Sequence, residues 1–310
     1  MKEGRMDRRT FVRRTVGATF AAGAAAASGG FLRWAEAAVP PLAYDLVAVK
    51  GGEPDAMFDA AIGAVGGMGA FVKKGQKVVV KPNIGWDVTP DRGGDTNPLL
   101  VARIVRCCLD AGAKQVYVFD HTCDDWRRSY QNSGIESAAK NAGAKVAPGH
   151  TEGYYHSVAI AGGKVLQNAQ VHELVLEADV FINVPVLKNH TSTQLTAGMK
   201  NLMGVVWDRG YWHKNDLHQC IADYAVARKP DLTVVDAYRV MKQNGPRGVS
   251  LDDVVQLKSL VLTTDIVAAD AAAARLYGTS PDDIPYITIA AERKAGRKDL
   301  EHLNIKRIAL

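Results

Sequence analysis

Long apolar runs are absent from the 310 residues, apart from a weakly apolar stretch of alanine and glycine over residues 16–27. A membrane-spanning helix needs roughly 20 consecutive apolar residues, so a run of about a dozen is too short to span a bilayer. No later segment is apolar enough to span a membrane. We therefore expect no stable membrane span once an N-terminal segment has been removed.

Cysteine is scarce and lacks the spacing of metal-cluster ligands. The chain has Cys107, Cys108, Cys123 and Cys220, and no two of them form a C-x-x-C pair. This absence argues against an iron–sulfur cluster and against an all-cysteine zinc site. A disulfide between Cys123 and Cys220 and four free, buried thiols are both compatible with the sequence.

Positive charge is scarce outside the N-terminus, although the whole chain has a net charge of +5. Residues 1–38 contain seven lysines and arginines against three acids, so they hold four of those five charges. The remaining residues are nearly neutral and show no basic patch typical of nucleic-acid binding. Nucleic acid is therefore not expected as a partner.

The N-terminal residues have the pattern of an export signal. Arg8-Arg9 is followed by Phe11, by the weakly apolar stretch and by Ala35-Glu36-Ala37, a small-x-small cleavage pattern. This order is typical of a secretory signal, and the arginine pair selects the twin-arginine route. It predicts a signal peptide over residues 1–38, the twin-arginine translocase as a partner and a periplasmic or other extracytoplasmic location. Retention as an uncleaved anchor is the alternative.

Strand-like and helix-like stretches alternate over residues 39–310. Strands are predicted at 44–50, 77–80, 115–119, 178–184, 232–237 and 259–263, and helices at 54–71, 98–111, 133–142 and 265–277. Such alternation predicts one α/β domain with a mainly parallel, Rossmann-like sheet flanked by helices. A cluster of glycines between residues 149 and 163 indicates a possible boundary between two lobes near 150–175.

Polar residues gather where the predicted strands end, which is where ligands bind in such sheets. Lys81 and Asn83 follow the second strand, and the glycine-rich loop with Asp95 and Thr96 leads into the helix at Pro98, where backbone N–H groups could hold an anion. A solvated loop with a helix cap is the alternative. Asp120-His121 follows the third strand and is either an acid–base or metal pair, or a cap beside a hydrogen-bonded histidine.

The densest group of polar residues follows the strand at 178–184. Its members are Asn183, Lys188, His190, Thr196, Lys200 and Asn201. Clustered bases without matching carboxylates indicate an anionic ligand, or a lysine held at a lowered pKa for chemistry. Asp236, at the end of the next strand, is expected to neutralise lysines or orient a histidine. The aromatic and histidine stretch Trp207, Tyr211, Trp212, His213 and His218 is expected to form a pocket mouth or a lid.

Several runs resemble the family called domain of unknown function 362. They are V-V-V-K-P-N at 78–83, A-D-V-F-I-N-V-P-V-L-K-N-H at 178–190, T-A-G-M-K-N-L-M-G at 196–204, V-V-D-A at 234–237 and D-I-V-A-A-D-A at 265–271. The resemblance covers roughly residues 45–305. Members of this family are often described as iron–sulfur proteins, but the cysteine motifs behind that description are missing here.

A more distant resemblance is to the nickel-pincer lactate racemase family. It would make His121 and His190 proton-transfer histidines and Lys200 the cofactor lysine, with His213 or His218 nearest to a nickel-binding histidine. The sequence departs from that family at Lys81-Pro82-Asn83 and at Ala197-Gly198-Met199-Lys200.

These observations favour an exported enzyme that acts on a small anionic substrate by racemase-like or epimerase-like proton transfer. The catalytic residues would be His190, Lys200, His121 and Asp120. The ligand-binding residues would be Lys81, Asn83, Asp95, Thr96, Asn183, Lys188, Thr196, Asn201 and Asp236. A metal or an anionic cofactor could be loaded before export. The alternatives are a non-catalytic protein that binds an anionic ligand or metal, and an iron–sulfur electron carrier.

Overall fold

The computed structural model of the protein describes residues 42–310, so the predicted signal peptide at 1–38 lies outside the described residues. The described residues belong to one compact unit. None of the helices within this part of the chain is long and apolar enough to cross a membrane.

Twelve strands form the sheets of the described residues. They are β1 (Leu46–Lys50), β2 (Lys77–Pro82), β3 (Gln115–Val118), β4 (Lys145–Val146), β5 (Tyr155–Ala159), β6 (Asn168–His172), β7 (Val180–Val184), β8 (Val186–His190), β9 (Gln194–Thr196), β10 (Leu232–Met241), β11 (Val254–Thr263) and β12 (Ile305–Ala309). Ten of them form a central sheet with the order β12-β1-β11-β10-β7-β2-β3-β4, in which β8 also pairs with β10, and β9 pairs with β8. Most neighbouring strands are parallel, whereas β11 is antiparallel to both β1 and β10, and β9 is antiparallel to β8. Strands β5 and β6 form a separate two-stranded sheet.

Helices cover both faces of this sheet. They are α1 (Pro54–Ala64), α2 (Pro98–Asp110), α3 (Trp126–Asn132), α4 (Ile135–Asn141), α5 (Glu173–Glu177), α6 (Gly198–Asn201), α7 (Arg209–Lys214), α8 (Leu217–Ala227), α9 (Ile266–Tyr277) and α10 (Pro285–Glu292). Side chains of β2 alternate between two apolar cores, because Val78 and Val80 join one and Val79 the other. The predicted α/β class with a mainly parallel sheet is therefore confirmed.

The first helix is shorter than predicted. The sequence pattern predicts a helix to residue 71, but α1 ends at Ala64. Gly66 and Gly67 then adopt φ values of +91° and +81°, which lie in the left-handed region and break the helix.

The glycine-rich region near 150–175 contains the hairpin of β5 and β6. Val158, Ile160 and Leu166 of this region are buried in the same apolar core as α8 and α9. The region thus packs on the core of the single compact unit.

All four cysteines are free, which excludes the disulfide between Cys123 and Cys220 in this structure. Cys220 lies on α8 and is buried in the apolar core, whereas Cys123 is exposed. The expectation of buried thiols is therefore wrong for Cys123.

Candidate functional site

A cavity of about 550 Å³ opens beyond the carboxyl ends of β2, β3 and β8. This is the place where open α/β sheets bind ligands, because chain segments diverge there and leave room between the loops. Nine of the thirteen predicted site residues line it. They are Lys81, Asn83, Asp120, His121, Lys188, His190, Thr196, Lys200 and Asn201.

A buried ion pair lies at the centre of the cavity wall. Lys81 Nζ is 2.8 Å from Asp120 Oδ1 and donates a hydrogen bond of 2.8 Å to Asn201 Oδ1. Burial lowers the pKa of Lys81, and the charge of Asp120 opposes that shift. The Asn201 amide in turn donates to Asn183 Oδ1 at 2.8 Å, so the lysine is held by a chain of amides rooted in β7.

A second buried lysine joins the same chain of amides. Lys188 Nζ donates to Asn83 Oδ1 at 3.0 Å and to the carbonyl oxygen of Gly94, while Asn83 Nδ2 donates to Asn201 Oδ1 at 2.9 Å. Burial lowers the pKa of Lys188 to about 8, although the carboxylate of Asp95 opposes the shift. One hydrogen-bond network therefore holds both lysines in the cavity wall, with Asp120 beside Lys81 and the charge of Asp95 acting on Lys188.

The hairpin of β8 and β9 turns three predicted residues toward the cavity. Side chains alternate along a strand, so Lys188 and His190 share one face, and Thr196 lies directly opposite Lys188 in the antiparallel register. Asn189 points to the other side, where its Oδ1 accepts a hydrogen bond of 2.9 Å from the backbone of Gly245.

The two cavity histidines are held in opposite tautomers. His121 Nδ1 lies 3.0 Å from the carbonyl oxygen of Val206, which can only accept, so the proton is on Nδ1 and Nε2 keeps a lone pair. His190 Nδ1 lies 3.1 Å from the backbone N–H of Ser192, which can only donate, so the proton is on Nε2. The ring of His121 also stacks on Trp207 at 4.8 Å.

Both histidines are held neutral. Burial, followed by the charge of Arg209, lowers the pKa of His121. Burial, followed by the charges of Lys200 and Lys188, lowers the pKa of His190 to about 3. At neutral pH His121 can therefore accept a proton, and His190 can donate a hydrogen bond without carrying charge.

The side chain of Lys200 has no hydrogen-bond or ion-pair partner among the described residues. It lies on the four-residue helix α6 and lines the cavity. Burial, with Arg209 and the other lysines nearby, lowers its pKa to about 7. Near neutral pH this amine is therefore present in both protonation states.

With this geometry in place, comparison with known proteins assigns a family. Residues 78–275 match the family described as domain of unknown function (DUF362). This chain belongs to the DUF362 family. The match covers more than half of the chain and confirms the resemblance predicted from the sequence.

Two individual proteins are similar to this DUF362 chain. The thylakoid-associated protein sll1697 of Synechocystis sp. is 27% identical over 246 residues, which cover 75% of this chain and 72% of that protein. The solved structure of the lactate racemase apoprotein from Thermoanaerobacterium thermosaccharolyticum matches with a TM-score of 0.48 and 12% identity, over 74% of this chain. The match spans 56% of the length of that racemase chain.

Four predicted site residues of this DUF362 protein lie around the cavity instead of lining it. Asp95 accepts the backbone N–H groups of Gly85 and Trp86, and Thr96 donates to the carbonyl oxygen of Val184. Asn183 supports Asn201, as described above. These residues fix the loops that carry the cavity residues.

Asp236 also differs from its expected position beside the lysines. Its two oxygens accept the backbone N–H groups of Asn97 at 2.7 Å and Tyr238 at 3.0 Å. Burial raises its pKa to about 6, and these hydrogen bonds oppose the shift. Asp236 therefore anchors the start of α2 and the bend in β10.

Only part of the aromatic and histidine stretch expected at the pocket mouth lines the cavity. Trp207 and His213 line the cavity, whereas Trp212 is buried in the core and His218 stacks on Tyr286. Tyr211 is exposed and lines a separate hollow.

Arg209 and Cys123 line the cavity but were not predicted from the sequence. Arg209 donates to the carbonyl oxygens of His121 and Thr122 at 2.7 Å each, and its Nη1 lies 3.3 Å from Cys123 Sγ. The position of Arg209 within the aromatic stretch was its only sequence signal.

Metal-binding geometry is not found in this part of the chain. Within residues 42–310, no group of three or more histidine, cysteine, aspartate and glutamate side chains is arranged to hold a metal ion. His213 lines the cavity and His218 does not, so the two nickel-ligand candidates are separated.

Proposed function

We propose that this DUF362 protein is an exported enzyme that transfers a proton on a small anionic substrate. The charge of the cavity supports an anionic ligand. Lys81, Lys188, Lys200 and Arg209 line it, and Asp120 is the one carboxylate among its lining residues within 42–310. Because Asp120 is already paired with Lys81, the cavity keeps an excess of positive charge.

The opposite tautomers of the two histidines are the observation that carries the proposal. His121 offers a lone pair at Nε2 and is suited to remove a proton next to a carbonyl or carboxylate. His190 offers an Nε2 proton and can donate a hydrogen bond to the oxygen that gains charge in that step. The backbone, through Val206 and Ser192, fixes both roles.

Lys200 is suited to return the proton. With a pKa of about 7 it holds a proton on a large fraction of molecules at neutral pH, which is the optimum for a general acid. Return to the opposite face of the same carbon would invert its configuration. Racemisation or epimerisation is therefore the reaction class that we propose.

Hydrogen exchange with solvent tests this function. We would incubate the full chain in D₂O with a panel of small chiral 2-hydroxy and 2-amino carboxylates and follow the α-proton by NMR. We expect exchange with at least one compound, and a loss of about 100-fold or more in His121→Ala and in His190→Ala. The exposed His302, which lies outside the cavity, provides the control His302→Ala. Exchange that survives His121→Ala, or none across the panel, would contradict the proposal.

A non-catalytic anion-binding protein is the second candidate. The observation that favours it is that Lys81 and Lys188 are held by the Asp120 carboxylate, by amides and by a carbonyl group, without help from either histidine. An anion that stabilises the protein equally in wild type, His121→Ala and His190→Ala, without any hydrogen exchange, would support this role.

A further inference from the structure

The hydroxyl group of Thr196 is buried in the cavity wall without a hydrogen-bond partner among the described residues. The residue is only 3% exposed. A buried hydroxyl group without a partner is destabilising, and native proteins rarely keep one without a reason. Its position in the wall of a cationic cavity indicates that an oxygen atom of the ligand accepts a hydrogen bond from this hydroxyl group.

Two ammonium groups lie beside this hydroxyl group. Lys188 is the direct cross-strand neighbour of Thr196, and only two of its three ammonium hydrogens are used, by Asn83 and Gly94. Lys200 lies four residues after Thr196, and its side chain has no hydrogen-bond or ion-pair partner among the described residues. Besides burial, the charge of Lys188 contributes to lowering the pKa of Lys200. Three side chains that line the same cavity therefore keep unused donors.

We infer that Thr196, Lys188 and Lys200 form an oxyanion subsite, which holds one carboxylate or phosphate group of the ligand and in which the Thr196 hydroxyl group is the specificity-determining donor. This inference deepens the proposed function and rests on it for the cavity being the ligand site. It places the anionic group of the substrate next to His190, which precedes the turn into β9. The reacting carbon, which is bonded to that group, must then be within reach of His121 on one face and of Lys200 on the other.

The charges around the subsite also restrict the rest of the ligand. Asp120 is committed to Lys81, so an ammonium group on the ligand would meet lysines and Arg209 without a free carboxylate. We therefore expect anions without a cationic group to bind better than zwitterions of the same size.

Isothermal titration at constant ionic strength tests the subsite, with the full chain and three probes: acetate, inorganic phosphate and glycine. Thr196→Val removes the hydroxyl group and keeps the shape, and should raise the Kd of the anion about tenfold or more, as expected for a hydrogen bond to a charged group. Thr196→Ser keeps the hydroxyl group and should stay within about threefold of wild type. Thr233→Val is the matched control, because Thr233 is equally buried and unpartnered but lies outside the cavity lining.

The probes separate the sources of the oxyanion. Binding of acetate that depends on Thr196 identifies a carboxylate ligand, and the same dependence for phosphate identifies a phosphate ligand. The inference is overturned if neither anion binds wild type, if Thr196→Val binds like wild type, or if Thr196→Ser loses as much as Thr196→Val. Glycine binding as tightly as acetate would overturn the charge restriction.

These outcomes are distinguishable from failure of the proposed function, since the titration measures binding without turnover. Exchange of the α-proton that depends on His121 would stand even if Thr196 proved irrelevant. A Thr196-dependent oxyanion site would likewise stand if no exchange were found.

Discussion

Gly204 packs directly against the buried ion pair of the cavity. A Cβ atom at this position would lie 1.8 Å from Asp120 Oδ1 and 2.6 Å from Lys81 Nζ. The backbone carbonyl group of Gly204 also accepts the N–H of His121 at 3.0 Å, so the segment cannot move away without losing that hydrogen bond. The absence of a side chain here is therefore what allows Lys81, Asp120 and His121 to share one wall.

We predict that Gly204→Ala destabilises the protein by about 2 kcal/mol or more and also weakens anion binding. The added methyl group must push apart a buried ion pair, and breaking such a pair exposes uncompensated charge. Thermal unfolding followed by circular dichroism would measure the change.

Gly63→Ala provides the control for this substitution. Gly63 lies inside α1, its Cβ would meet nothing within 4 Å, and its φ is not positive. Replacing it should raise stability by about 0.5–1 kcal/mol, because glycine is a poor helix residue. Equal effects of the two substitutions would contradict the role assigned to Gly204.

The cavity residues differ in how readily each could be predicted from the sequence. Lys81 and Asp120 were predictable because each directly follows a run of residues that predicts a strand, and sheet geometry places ligand groups at strand ends. Arg209 was not, since its function depends on folding back over residues 121–123, and no local pattern encodes that contact. Gly204 could not be singled out from the sequence either, because its close approach to Asp120 and Lys81 arises only in the folded structure.

At the scale of elements, helix α6 is too short to be stable by itself, and a buried carboxylate from α9 supports it. Asp270 Oδ1 and Oδ2 accept the backbone N–H groups of Gly198 and Met199 at the start of α6. This helix carries Lys200 and Asn201. Burial raises the pKa of Asp270 to about 7, and the two backbone hydrogen bonds oppose that shift.

We predict that Asp270→Asn becomes less destabilising, relative to wild type, as the pH rises from 5 to 8. The pKa of Asp270 in the folded state, about 7, exceeds the value of about 3.9 expected in the unfolded chain. Its stabilising contribution is therefore full below about pH 4 and is lost as the pH rises through about 7. Asparagine does not titrate, so the difference in melting temperature should shift in favour of the variant.

Asp125→Asn is the matched control for this pH dependence. Asp125 caps α3 by accepting the N–H of Arg128 at 3.0 Å, but it is exposed, and asparagine caps a helix equally well. This variant removes a carboxylate from a helix start and keeps the capping hydrogen bond, so it measures what loss of such a carboxylate does without burial. A pH-independent difference for Asp270→Asn would show that its carboxylate does not titrate in this range.

Elements with strong periodicity were predictable, and the hairpin that bears the site was not. Helices α2 and α9 and strands β2 and β7 lie within about three residues of their predicted bounds, because β-branched runs and helix caps are local signals. Strands β8 and β9 are rich in polar residues such as Lys188, Asn189 and Thr196, so they resemble a loop in sequence. Their strand structure comes from pairing with β10 and with each other, which is a tertiary effect.

For the whole molecule, the alternation of strands and helices predicted the class of fold but not the order of strands. The sequence gives no local signal that β11 inserts antiparallel between β1 and β10, or that β12 pairs with β1 at the edge. The pairings of β1 with β11 and with β12 join residues more than about 200 positions apart in the chain. Parallel pairing of β2 with β3, and of β8 with β10, places the ends of these strands at one edge of the sheet, where the cavity opens.

Export is the prediction that concerns the chain as a whole. Most of the net positive charge of the chain lies in residues 1–38. None of the residues that line the cavity comes from this segment. We propose that Arg8 and Arg9 direct the folded domain through the twin-arginine translocase. In a host with this pathway, the double substitution Arg8→Lys and Arg9→Lys in the full chain should abolish recovery of the domain from the periplasmic fraction, although it preserves the charge.

The control for export is Arg13→Lys with Arg14→Lys, which changes two nearby arginines in the same charged segment and leaves the pair intact. If both double variants are exported equally well, the pair has no special role and the export proposal is wrong. If only the first is retained, the chemistry of the arginine pair is required rather than its charge. The domain would then reach the translocase already folded, so any ligand that occupies the cavity at that stage could be carried across with it.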